Sequence, residues 1–209
     1  NGVNYVVYNL ATEQVKLGFE VSVFGITNHP QYPSTYDSIY DLKLFKKKMN
    51  PFSISKKLKL SIQSLPEKTI AHLHSVFIPE YVTITDILNE NQIPYVFTPH
   101  GGYSTQALKK RELMKKIYFK IFESEVSGRA RRIHAIGGSE LGDIERLGFK
   151  GKYFLLPNGV SSDLLNHENI RTLKKKDYFT IGYCGRLSMV HKGLDILLNA
   201  FKAFLKRYG

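Results

Sequence analysis

The chain is short of cysteine, of long apolar runs and of acid. One cysteine in 209 residues, Cys184, excludes an internal disulfide framework and suits a reducing compartment. No apolar run approaches the roughly 20 residues that span a bilayer, and the first residues lack the pattern of a secretory signal peptide. Against 30 Lys and Arg stand only 18 Asp and Glu, a net charge of +12, which favours phosphate-bearing ligands, acidic lipid surfaces or nucleic acid as partners. No Gly-x-Gly-x-x-Gly opens a helix after a strand with an acidic residue about 20 positions on, as a dinucleotide-binding oxidoreductase needs. No basic motif interleaved with aromatics, of the kind RNA modules carry, is present either. At 43% hydrophobic and 23% charged residues, the composition is otherwise that of an ordinary globular protein.

The most informative stretch present is 179–206. Residues 179–184 are apolar and suit a buried strand. Gly185 breaks that run, and a loop carrying Arg186 and Lys192 leads to Gly193. From there Leu194, Leu197, Leu198, Phe201, Phe204 and Leu205 recur at spacings of three and four, a helical period. Two cations and a helix N-terminus are thus expected at the carboxyl end of a strand. Unpaired N–H groups and the helix dipole favour anions there, and Arg and Lys add a planar fork and a mobile point charge. A diphosphate is the expected ligand. A solvated strand–helix loop is the plainer reading.

The same rhythm runs through the rest of the chain. An amphipathic helix over the first 17 residues stops at Gly18, and a strand follows at 21–26. Residues 27–69 are less regular, with a short strand expected at 39–45, a lysine run at 46–48 and a weak helical pattern at 54–62. A buried strand at 70–74 ends in His72-Leu73-His74. Alternate residues share one face of a strand, a geometry that zinc uses, but no further ligands at metal spacing accompany the pair, and no metal site is assigned. A helix is expected over 81–89, then a strand at 95–98 running into Pro99-His100-Gly101-Gly102. His100 would lie just past a strand end, beside glycines that let a ligand approach.

A long helix is expected over 105–127, with Leu108, Leu113, Ile117, Ile121 and Phe122 towards a core and most of its lysines outside. Such a helix can lie on an anionic membrane, or its charge can simply be a solvated face. Beyond it come a strand at 132–136, a turn in which Ser139 can cap the helix at 140–147, and a strand at 152–156. Pro157-Asn158-Gly159-Val160 follows, then a polar, lysine-rich segment at 161–177.

In their order, these motifs resemble retaining GT-B glycosyltransferases of family 4: Gly2 at the loop before the first helix, His-x-His, Thr-Pro-His-Gly, Gly-Ser-Glu, Leu-Pro-Asn-Gly-Val and Gly-Arg…Lys-Gly-Leu-Asp. The resemblance implies an α/β fold, with a Rossmann-like three-layer N-terminal domain over 1–160, a linker over 161–177, and the first βα unit of a second Rossmann-like domain over 178–209. It further implies transfer of a sugar from a nucleotide-sugar to a sugar or lipid-linked acceptor, with retention. His100, Arg186 and Lys192 would be the catalytic groups, and Gly2, Gly185, Arg186 and Lys192 the donor-phosphate contacts. His74, Gly101, Ser139, Glu140, Asn158 and Gly159 would line the cleft between domains.

No cofactor or metal is expected, and no nucleic-acid partner. The expected location is the cytoplasm, with peripheral contact to the inner face of an anionic membrane as an extension. A nucleotide-sugar epimerase, a phosphorylase or a non-catalytic basic membrane-binding module are the alternatives. The family's first strand is missing before Asn1, and its Glu-x7-Glu motif would fall beyond Gly209. The expectation is therefore an internal fragment, inactive by itself.

Overall fold

A computed structural model of the chain describes residues 2–31, 38–149, 151–160, 180–185, 187 and 192–208. It divides into two compact units, Asn1–Ser161 and Ser162–Gly209.

In the first unit, α1 (Gly2–Lys16) is followed by β1 (Ser22–Thr27). The helix stops where the sequence says it should. Gly18 takes a φ of +89°, its N–H donates to the Val15 carbonyl, and the Phe19 N–H reaches back to Gln14. This is the glycine-dependent end that closes many helices. Strand β1 pairs in parallel with β2 (Asp41–Lys46), Ser22 opposite Asp41. After α2 (Lys56–Gln63), capped by the Ser55 side chain accepting from the Leu58 N–H, a second parallel sheet forms. It runs β3 (Ala71–His74), β4 (Tyr95–Thr98), β5 (Arg132–Ala135) and β6 (Tyr153–Leu155), side by side in chain order. Helix α3 (Glu80–Glu90) crosses between β3 and β4, and α7 (Gly138–Arg146) between β5 and β6. Parallel neighbours need such crossovers, so the unit is the Rossmann-like α/β domain expected.

Both sheets share one core. Phe97, Ile133, Tyr103 and Ile144 are fully buried at its centre, Phe45 and Leu58 belong to it, and Phe24 and Ile26 of β1 pack against it.

The expected helix over 105–127 is broken, and of the five residues expected to face the core only Leu108 and Phe122 are half-buried. Its first piece, α4 (Thr105–Lys109), is capped by Ser104, whose hydroxyl accepts from the Ala107 N–H. Arg111 then takes a left-handed φ of +59°. The chain restarts as α5 (Glu112–Tyr118), runs through a π-helical turn (Phe119–Glu123) and ends as α6 (Ser124–Gly128). The inward face holds half-buried Tyr118, Phe119 and Phe122 with buried Glu123, Val126 and Ser127. Leu113, Ile117 and Ile121, expected in the core, point to solvent with exposures of 72%, 52% and 55%. The aromatics, spaced three and four apart, won the core, and the aliphatic stripe was left outside.

In the second unit, α8 (Leu194–Tyr208) forms as its apolar period predicts. Within the stretch expected as a strand, residues 180–184 join no sheet. A strand exists only by pairing, and no described residue offers these a ladder. Among the described residues, no helix is long and apolar enough to cross a membrane.

Candidate functional site

Strands β3, β4 and β5 end side by side, and the loops leaving them carry the first unit's polar cluster. The turn after β4 is set by its residues. The Gly102 N–H donates to the Pro99 carbonyl at 3.1 Å, and Gly101 takes a φ of +73°. A Cβ on Gly102 would lie 2.2 Å from Cγ2 of Val76, so only glycine fits there. His100 itself adopts a left-handed φ of +52°, an uncommon conformation for a residue with a side chain. The turn thus holds the His100 ring beside the neighbouring strand, where its Nε2 lies 3.0 Å from Nδ1 of His74. The Tyr81 hydroxyl secures His74 in turn, donating to its carbonyl at 2.7 Å and accepting from its N–H at 3.3 Å.

Glu140 ties the next loop to the same turn. Its carboxylate is buried and accepts from the Gly101 N–H with one oxygen and from the Ile136 N–H, at 2.8 Å, with the other. It stands in the first turn of α7, where a carboxylate also meets the positive end of the helix dipole. Ser139, expected as the cap, is instead inside α7. The helix opens from Gly137, which has no side chain to cap it, and Glu140 reaches back to the preceding backbone instead. Ser139 is exposed.

Beneath this layer runs a chain of hydrogen bonds whose direction is fixed by its end. Nε2 of His134 lies 2.7 Å from the Leu156 carbonyl, which can only accept, so that nitrogen carries the proton. In the neutral ring Nδ1 then accepts, and the Thr98 hydroxyl donates to it over 3.0 Å. With its proton spent, the Thr98 oxygen accepts from Nε2 of His72 at 2.7 Å. The His72 ring lies 4.0 Å, centroid to centroid, from that of His74, as alternate residues of one strand face should.

The rings of His72, His74 and His100 are held uncharged at neutral pH. Burial above all, and then the imidazoles of His134 and His100, hold His72 down at about 4. Burial, followed by His72, His100 and His134, pushes His74 lower still. Burial and then His134 also lower His100. A neutral imidazole offers one donor and one acceptor, which suits hydroxyl groups rather than phosphate. Among the described residues, no group of three or more His, Cys, Asp or Glu is arranged to hold a metal.

Of the residues singled out in the sequence, the structure therefore brings together His74, His100, Gly101 and Glu140. Gly2 opens α1, exposed and with open space around it. Asn158 and Gly159 lie exposed in the irregular stretch after β6, whose start is fastened to β5 by the Leu156 N–H bonding the Ala135 carbonyl. Gly185 and Lys192 belong to the second unit. Lys192 is exposed, one residue before Gly193, whose carbonyl accepts from Leu197 at the start of α8. Arg186 lies outside the described residues. Sequence reasoning missed Tyr81, His134 and the relay role of Thr98. The only signal for His134 was a polar residue inside a short strand, which by itself has no preferred meaning.

A parallel α/β unit with a polar cluster at its strand ends is the architecture of Rossmann-like ligand-binding domains. Residues 1–164 match the family model Glycosyltransferase Family 4, and the chain belongs to that family. No curated protein and no solved structure matches the chain. Membership of this family gives it a glycosyltransferase-type function.

Proposed function

We propose that the protein moves a sugar from a nucleotide-sugar donor to a sugar or lipid-linked acceptor in the cytoplasm, with retention at the anomeric carbon. The observation that supports this best is the hydrogen-bonded pair His74–His100 at the strand ends. Its uncharged rings, beside a turn open enough for close approach, suit the hydroxyls of a donor sugar. Arg186 and Lys192 supply what that cluster lacks, positive charge for the diphosphate. As the bond between the anomeric carbon and the diphosphate breaks, negative charge grows on the leaving group, and preorganised cations stabilise that charge more than the ground state. In this reading two cations take the place of a metal, and transfer needs no added divalent ion.

Titrating the intact protein with uridine, guanosine and adenosine diphosphates by calorimetry tests the phosphate site. Arg186→Ala weakens the preferred nucleotide by about tenfold or more, the loss of a charged hydrogen bond, whereas Lys57→Ala, at an exposed position of α2, leaves it unchanged. Equal effects of the two substitutions contradict the assignment.

A further inference from the structure

The outward-facing aliphatic residues of α5 and the π-helical turn after it leave an unusual surface. Leu113, Ile117 and Ile121 stand four residues apart, with Met114 beside them, all more than half exposed, so they form one aliphatic stripe. Around it, residues 105–122 hold six basic side chains and a single acid, Glu112. Glu112 is already engaged by Lys116 at 2.6 Å. Lys115 alone turns inward, over the Phe77 ring and onto the Ala107 carbonyl, while Lys109, Lys110, Arg111, Lys116 and Lys120 are exposed.

A second basic segment packs against the inner, aromatic side of this helix. The Phe52 ring packs against Tyr118 and Phe122, at 6.3 and 4.8 Å between centroids, and so brings the preceding turn beside the helix. That turn carries a fully exposed Met49 next to the lysine run at 46–48. Residues 42–66 contain seven lysines and no acid, although Lys43 and Lys47 are paired with Asp41 and Glu80 outside that stretch.

We propose that the exposed face of Leu113, Met114, Ile117 and Ile121, with its rim of Lys109, Lys110, Arg111, Lys116 and Lys120, docks on an anionic phospholipid bilayer. Aliphatic tips inserted at headgroup depth, with lysines reaching up to lipid phosphates, is how a basic amphipathic helix lies in a membrane interface. The charge argues against a second copy of this chain, since two molecules of net charge +12 repel each other. Nucleic acid is disfavoured because the outward residues are aliphatic and give bases nothing to stack on; the aromatics of this helix face inward. The proposal stands apart from the donor and acceptor reading and does not depend on it.

Co-sedimentation of the intact protein with vesicles tests it. One set is phosphatidylcholine alone, the other an equal mixture with phosphatidylglycerol. Binding is expected to the mixed vesicles and to weaken with salt. Lys110→Gln and Lys120→Gln each lower the partition coefficient about fivefold, and the pair Leu113→Ser/Ile117→Ser lowers it tenfold or more. All four side chains are exposed, so circular dichroism should show an unchanged fold. No binding to the mixed vesicles overturns the proposal. So does binding that the serine pair leaves intact, or a dimer in sedimentation velocity that the serine pair dissolves.

Discussion

Thr98 shows how much can rest on one hydroxyl. It is fully buried and sits between two imidazoles, donating to His134 and accepting from His72. Replacing it with valine keeps the shape of the side chain and removes both bonds. Two buried ring nitrogens are then left unpaired, at about 1–3 kcal/mol each. Thr98→Val should therefore destabilise the protein by about 2–6 kcal/mol in urea titration, whereas a loss below about 0.5 kcal/mol would mean that the relay is not a structural unit. The sequence pointed to His100 and its glycines, because a histidine followed by two glycines at a strand end is a local signal. It could not point to Thr98 and His134. Their importance arises only when strands 36 residues apart lie side by side, and no local pattern encodes that pairing.

The elements were largely legible, and the exceptions have physical causes. β4 falls on Tyr95–Thr98 as its aromatic and β-branched run predicts, and β3, α3 and α7 fall within two residues of expectation. The helix over 105–127 failed because two periodic stripes compete on it, an aliphatic one and an aromatic one, and periodicity alone does not say which faces inward. The π-helical turn that ends the contest places Glu123 in the core. There it accepts from the Tyr103 hydroxyl at 2.9 Å and the Phe77 N–H at 3.1 Å.

Burial pushes Glu123 up to about 7, against the opposing pull of those two hydrogen bonds. A carboxylate with a raised folded pKa holds its proton in the folded state between about 4.5 and about 7. Its cost to stability is therefore absent at low pH, grows as pH rises through that window, and is complete above it. Glu123→Gln should raise the unfolding free energy at pH 8 by about 1–3 kcal/mol and change it little at pH 5. The lowered histidines slope the other way, losing stability as pH falls below about 6.5, but they are common to both proteins and cancel in the difference. Equal effects at the two pH values would place the Glu123 carboxyl outside that titration window.

At the scale of the whole molecule, the charge of +12 and the division into two units set how function is distributed. The first unit, which carries the family match over residues 1–164, gathers uncharged hydrogen-bonding groups at its strand ends. The second carries Lys192 and α8, and the phosphate contacts proposed for it were read from a strand, a glycine and a basic loop. The helix of that motif is formed as expected, whereas residues 180–184 join no ladder, because the pairing of a strand is decided outside the segment itself. Sequence reasoning thus reached the fold of the first unit through many short, mutually consistent signals. For the second unit it had one motif.

The central claim is that His100, paired with His74, meets the donor sugar. The most direct test is a titration of the intact protein, labelled with nitrogen-15 in its histidines, against a panel of nucleotide-sugars differing in base and sugar. At least one donor is expected to shift the ring signals of His100 and His74 and to leave those of exposed His29 in place, while the matching nucleoside diphosphate without the sugar moves His100 far less. If every donor leaves His100 unmoved, or the diphosphate alone reproduces the whole shift, the strand-end histidines do not bind the sugar and the account is wrong.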